Sequence, residues 1–141
     1  MTLDTPIPTR LGDIIQRNRD RIAIDLATPA ERAGVARNAD IAGPPKRELH
    51  GWCVIAIREL ARHQASLHVL GYADAGHAWI TSQVIEISPD ERRVRTKNSI
   101  YGLAAPLAGE PDIELVLFAA HMLRRWGVDQ AYDLGVIDVF Y

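Results

Sequence analysis

His77-Ala-Trp-Ile-Thr-Ser-Gln-Val-Ile-Glu-Ile-Ser-Pro-Asp-Glu-Arg-Arg-Val-Arg-Thr-Lys-Asn-Ser-Ile-Tyr-Gly-Leu103 divides into two extended halves about one polar turn. The first half alternates, with Trp79, Thr81, Gln83, Ile85 and Ile87 on one side and Ile80, Ser82, Val84 and Glu86 on the other. A period of two is the pattern of a half-buried strand. Pro89-Asp90-Glu91 carries turn residues, so strands are predicted over His77–Ser88 and Arg92–Leu103. With the turn centred on Asp90, paired residue numbers sum to about 180. That register sets Thr81 near Ser99 and Ser82 near Asn98, so the hydroxyls read as a cross-strand structural ladder.

Upstream, Ser66–Tyr72 followed by Ala73-Asp-Ala-Gly76 predicts a further strand and turn, completing an antiparallel meander. Before it the apolar spacing changes. Leu49, Trp52, Cys53, Ala56, Ile57 and Leu60 recur at helical intervals, predicting a helix from Pro45 to about His63. Leu11, Ile14, Ile15, Ile22, Ala23 and Leu26 predict another over Thr9–Leu26. Thr28-Pro-Ala-Glu31 spells a capping box with proline at the first helical position, predicting a short helix to about Arg37. Downstream, Asp112–Trp126 predicts a last long helix, closed by Gly127 and by Arg124 and Arg125 at its negative end. Val136–Tyr141 reads as a final strand.

The expected fold class is therefore α+β, an antiparallel three- to four-stranded meander with helices packed on one face. All 141 residues form one expected domain: 1–65 mainly helical, 66–103 the meander, 112–126 a helix and 136–141 a last strand. Forty-eight per cent hydrophobic residues and 24% charged residues are globular proportions and exclude global disorder. Cys53 is the only cysteine, so no internal disulfide exists, and a reducing, cytoplasmic setting is expected. Met1-Thr-Leu-Asp-Thr-Pro lacks the basic and apolar character of a signal peptide, and no apolar run reaches the roughly 20 residues of a membrane span.

Charge is uneven along the chain. Residues 1–62 hold ten Lys/Arg against eight Asp/Glu, 63–107 four against four, and 108–141 two against six. A nucleic-acid binder ordinarily shows a basic surplus, and here only a local patch supplies one. Arg93, Arg95 and Lys97 alternate along one strand face, Ser99 and Tyr101 continue it, and Arg92 sits at the turn. Such a row suits an acidic protein surface or a phosphate backbone, and it also serves as a solvated face that discourages edge pairing.

Catalytic and metal signatures are sparse. His50 and Cys53 share a face of the expected helix, but one cysteine with scattered His63, His68 and His77 does not supply three or four convergent zinc ligands. Cysteine in an apolar stripe reads as a core residue. Gly-x-Ser-x-Gly, Gly-x-Gly-x-x-Gly and Walker A patterns are absent. His77 and Thr81 lie about 13 Å apart along a strand, beyond hydrogen-bond reach. A hydrolase would have to draw its base, His77 or His121, together with a nucleophile from elsewhere in the fold. No metal and no cofactor is expected.

Trp79-Ile-Thr-Ser-Gln-Val84 followed by Val94-Arg-Thr-Lys-Asn-Ser-Ile-Tyr-Gly-Leu103 resembles a hairpin in short proteins of bacterial phages, plasmids and integrated elements. There a W-x-T-S-x-(V/I) strand precedes a V-x-T-x-(N/G)-S-x-Y-x-L strand. The resemblance covers about 25 of the 141 residues and implies an accessory mobile-element protein, not a mechanism. Joined to the missing catalytic motifs and the split charge, it sets the functional expectation. That expectation is a non-catalytic protein that binds and occludes a macromolecular partner, such as a host nuclease or defence complex, through Arg92, Arg93, Arg95, Lys97 and Tyr101. A small nucleic-acid-binding regulator and a small hydrolase are the alternatives.

Overall fold

Arg47–Glu59 is the strand around which the molecule is built (β3). In the computed structural model, which describes residues 8–136, it is preceded by β1 (Ile22–Leu26), α1 (Pro29–Ala33) and β2 (Ala36–Arg37). After it come β4 (Gln64–Tyr72), β5 (Ala78–Ile80), β6 (Val84–Ile87), β7 (Arg93–Thr96), β8 (Ile100–Leu103), α2 (Ile113–Arg125) and α3 (Val128–Tyr132). The eight strands form one sheet in the order β2-β6-β7-β8-β3-β4-β5, with β1 also pairing β3. β2–β6 and β3–β8 are parallel and the other pairs antiparallel, so the sheet is mixed. This corrects the expected meander.

Both faces of β3 are buried, which explains its unbroken apolar run. Trp52, Val54 and Ala56 join Leu67 and Val69 of β4 in one core, roofed by Ile87, Val94, Tyr101 and Leu103 of β6–β8. Ile55, flanked by Cys53 and Ile57, joins Leu70 and Ile80 in a second core under α2 and β1. A strand covered on both sides loses its polar alternation. Trp-Cys-Val-Ile-Ala-Ile therefore satisfies a helical stripe as readily as a strand, and the helix predicted over 45–63 is a strand. A bulge between His50 and Cys53 re-phases it, with Gly51 in the left-handed region at φ 53°.

The helix expected over Thr9–Leu26 is also corrected. Leu11, Ile14, Ile15 and Ile22 are buried, yet the chain forms only a 3-10 turn, Leu11–Asp13, and then β1. Between them Asn18 adopts φ 56° and its amide donates to the carbonyls of Tyr132 and Asp133, ending any helix there. The part before residue 66, expected to be mainly helical, therefore holds more strand than helix among the described residues. The capping box is present: Thr28 Oγ1 accepts from Glu31 N and Glu31 Oε1 from Thr28 N, although α1 stops at Ala33 and Ala36–Arg37 are β2.

α2 matches its prediction closely. Asp112 caps it, accepting from Leu115 N at 3.0 Å, and Gly127 follows at φ 79°. Its buried face is Leu115, Val116, Ala119, Ala120 and Leu123, with Ile113 left exposed. α2 and α3 pack on one core, so the expectation that all helices share one face is corrected. α1 sits on the other side, with Arg32 over the Trp52 ring at 5.8 Å. The strands predicted as His77–Ser88 and Arg92–Leu103 are each broken in two, at 81–83 and 97–99. The last strand predicted, 136–141, lies outside the described residues except for Val136, which is buried. Among the described residues no helix is long and apolar enough to cross a membrane.

Candidate functional site

The sheet does not close. β6 approaches β4 without forming a ladder, and Thr81-Ser82-Gln83 bridges the seam between β5 and β6. Polar groups at such a crossing need partners, and the hydroxyls supply them. Thr81 Oγ1 accepts from Val69 N at 3.0 Å and donates to the Ser82 carbonyl at 2.7 Å. Ser82 Oγ donates to Thr96 Oγ1 at 2.8 Å and accepts from Asn98 N at 3.3 Å. Thr96 Oγ1 in turn donates to the Ser99 carbonyl and accepts from Ser99 N.

The predicted register survives as the pairing Val84↔Thr96 and as the Ser82–Asn98 contact. It fails at Thr81 and Ser99. Thr81 turns to β4, and Ser99 starts β7's return as β8, with Arg95 opposite Ile100.

At the seam the Thr81 carbonyl meets the ring of His68. Nδ1 of His68 lies 3.0 Å from that oxygen, and Nε2 lies 3.0 Å from Ser66 Oγ. A carbonyl only accepts, so Nδ1 carries the proton and Nε2 accepts from the Ser66 hydroxyl. Ser66 and His68 are two apart on β4, hence on one face. The His68 ring is 7% exposed and packs on Trp126 at 5.3 Å. Burial pushes its pKa down, so the imidazole is neutral near pH 7.

Two clefts open onto this pair. One, of about 460 Å³, wraps the free edge of β5 and is walled by Lys46, Trp79, Lys97, Asn98, Tyr101 and Trp126 as well as Ser66 and His68. The other, of about 390 Å³, lies across Trp126 towards Tyr132. In the first, Lys46 Nζ lies 5.4 Å from the Trp79 ring, which packs on Tyr101 at 6.3 Å; Arg47, outside the cleft wall, places Cζ 5.2 Å from the same ring. The Trp79 indole N–H is buried with no acceptor. Trp126 is 39% exposed, a large apolar surface left at the rim.

A larger cleft, about 860 Å³, lies between Arg32, Trp52, Glu91 and Arg92. Its charges answer one another: Arg32 pairs with Glu91 at 3.1 Å and Arg37 reaches the same carboxylate at 3.8 Å. Asp90 is held by Ser88 Oγ at 2.7 Å. The seam therefore offers the richer chemistry despite its smaller volume.

The expected contact stripe is largely turned inward or paired. Arg95 donates to Glu86 across the strands at 2.6 Å, and this bond holds the Glu86 carboxyl below its ordinary range. Arg93 donates to the Gly43 carbonyl, and Tyr101 is buried beside Val94. Arg92 borders the larger cleft and Lys97 the seam, both exposed. His77 is exposed ahead of β5, while His121 lies on α2; neither lines the three clefts. Among the described residues no three His, Cys, Asp or Glu side chains are grouped as metal ligands. Sequence reasoning missed Lys46, Arg47, Ser66, His68 and Trp126. Ser66-x-His68 on a predicted strand was the one available signal, since that spacing places both side chains on one face.

No family model matches this chain, and neither a curated protein nor a solved structure does. Nothing in these comparisons bears on the hairpin resemblance of residues 79–103.

Proposed function

We propose that the protein is a binding module whose seam face takes a short stretch of single-stranded nucleic acid. The observation that carries this reading is the grouping of Lys46 and Lys97 with Trp79 and the exposed Trp126 around one open cleft, with Arg47 against the Trp79 ring beside it; the three cations form no ion pairs among the described residues. Cations that track phosphates, interleaved with rings that stack on bases, are the chemistry of single-strand recognition. The occluding protein expected from the sequence needs an outward basic stripe. Arg93 and Arg95 are engaged within the molecule, so the geometry favours the nucleic-acid alternative.

The test is fluorescence anisotropy with a labelled single-stranded dodecamer and its duplex. Three phosphate contacts give a log–log salt slope of about −2, so affinity should fall roughly 20-fold between 50 and 200 mM salt. The double variant Lys46→Ala/Lys97→Ala should bind at least about tenfold more weakly and flatten the slope to about −0.7. Binding insensitive to salt, preference for the duplex, or no binding at low salt overturns the reading. Capture of an acidic protein instead, lost in the same double variant, assigns the face to a protein partner.

A further inference from the structure

The Ser66–His68 pair is a nucleophile and base already in reach of each other, and nothing in the binding reading uses it. Ser66 Oγ and His68 Nε2 are 3.0 Å apart, and the Thr81 carbonyl holds Nδ1 at 3.0 Å from the opposite side of the ring. A serine becomes nucleophilic when an adjacent base can take its proton, provided a third group fixes that base's tautomer and orientation. Here the third group is a backbone carbonyl, itself fixed by the Thr81–Val69 hydrogen bonds. Ser66 is half-buried and lines both seam clefts, so an acyl group has room on one side and its leaving group on the other.

We propose that Ser66, with His68 as its base, is an acyl-transfer site for small carboxylic esters carrying a negative charge. The hydroxyl oxygen bonds to the ester carbonyl carbon while His68 Nε2 takes the hydroxyl proton. The tetrahedral intermediate then expels the alkoxide, which leaves as the alcohol with that proton, and Ser66 carries the acyl group. Water adds to the acyl-serine, giving its proton to Nε2. The carboxylic acid departs and the proton returns to Ser66. The developing oxyanion needs donors, and the wall of the same cleft offers Lys97 and Asn98. Lys46 and Lys97 favour an anionic substrate over its neutral analogue.

The experiment uses the full chain with a fluorophosphonate probe, 4-nitrophenyl acetate and 4-nitrophenyl hydrogen succinate. Ser66→Ala removes a single half-buried oxygen and leaves the fold intact by circular dichroism, whereas His68→Gln removes the buried base. The expected result is a probe adduct on Ser66 by mass spectrometry that is absent in both variants. Ester turnover should fall at least 100-fold in each, and the anionic ester should be preferred by the parent chain. Labelling that persists in Ser66→Ala, or turnover equal in parent and Ser66→Ala, overturns the proposal. So does absence of both labelling and turnover. Nucleic-acid binding retained in Ser66→Ala leaves the two readings separable, since each fails on its own measurement.

Discussion

Thr96 is 1% exposed, and its one hydroxyl serves three groups: the Ser82 hydroxyl, the Ser99 carbonyl and the Ser99 amide. Thr96→Val keeps the shape and removes all three bonds, leaving buried polar groups unpaired. The expected loss is about 1–3 kcal/mol of unfolding free energy, read from urea denaturation. One contact of this network, Ser82 with Asn98, was legible in the chain, because a turn at Asp90 sets those two opposite each other. Beyond Val84 the ladder shifts by one residue and sets Glu86 opposite Arg95, so the pairing that occupies that arginine was not readable from the turn alone. What it does not reveal is where each strand breaks. Thr81 leaves the hairpin for β4 because a partner from another part of the chain, Val69, competes for it.

Among the elements, β3 shows how a confident local pattern fails. Leu49, Trp52, Cys53, Ala56 and Ile57 fit one stripe of a helix, yet Val54 and Ile55 between them are equally buried. A helix with a solvated face should be polar there, and continuous apolarity over the six residues Trp52–Ile57 points to burial on all sides. Periodicity alone does not separate the two, because the second covering layer, β6–β8, comes from forty residues downstream. α2 was legible since its cap, stripe and terminating glycine are all local. The bulge in β3 also constrains its neighbour: a Cβ on Gly71 would lie 3.0 Å from the Trp52 Cα and 3.1 Å from the His50 carbonyl oxygen. Both are backbone atoms that cannot rotate away. Gly71→Ala is therefore expected to cost about 1–3 kcal/mol, measurable as a lowered denaturation midpoint with an unchanged slope. An unchanged midpoint would mean that the two strands separate more easily than their packing implies.

At the scale of the whole molecule, one ion pair ties α1 to the two strands beneath it. Arg58 on β3 donates to both Glu31 oxygens, at 2.8 and 2.7 Å, and to the Leu26 carbonyl of β1 at 3.0 Å. Its guanidinium holds the Glu31 pKa down from 4.5 to about 2, against burial that pushes it up. A carboxylate depressed in the folded state stabilises above its unfolded pKa, and that stability is lost as the group protonates. Unfolding free energy should thus decline by about 2 kcal/mol as pH falls from about 4.5 to about 2, after allowance for partial solvent exposure. Glu31→Gln should remove that part of the slope and lower stability near pH 7 by a similar amount. A parallel decline in parent and variant would place the acid sensitivity elsewhere.

β3 is also the wall common to both cores, with Trp52, Val54 and Ala56 facing one and Cys53, Ile55 and Ile57 the other. Its residues are two interleaved messages written on one line, each addressed to a different listener. A substitution that enlarges one side shifts the wall into the other, so the two cores cannot drift independently in sequence. Among the described residues, a cut through β3 would therefore open both cores at once.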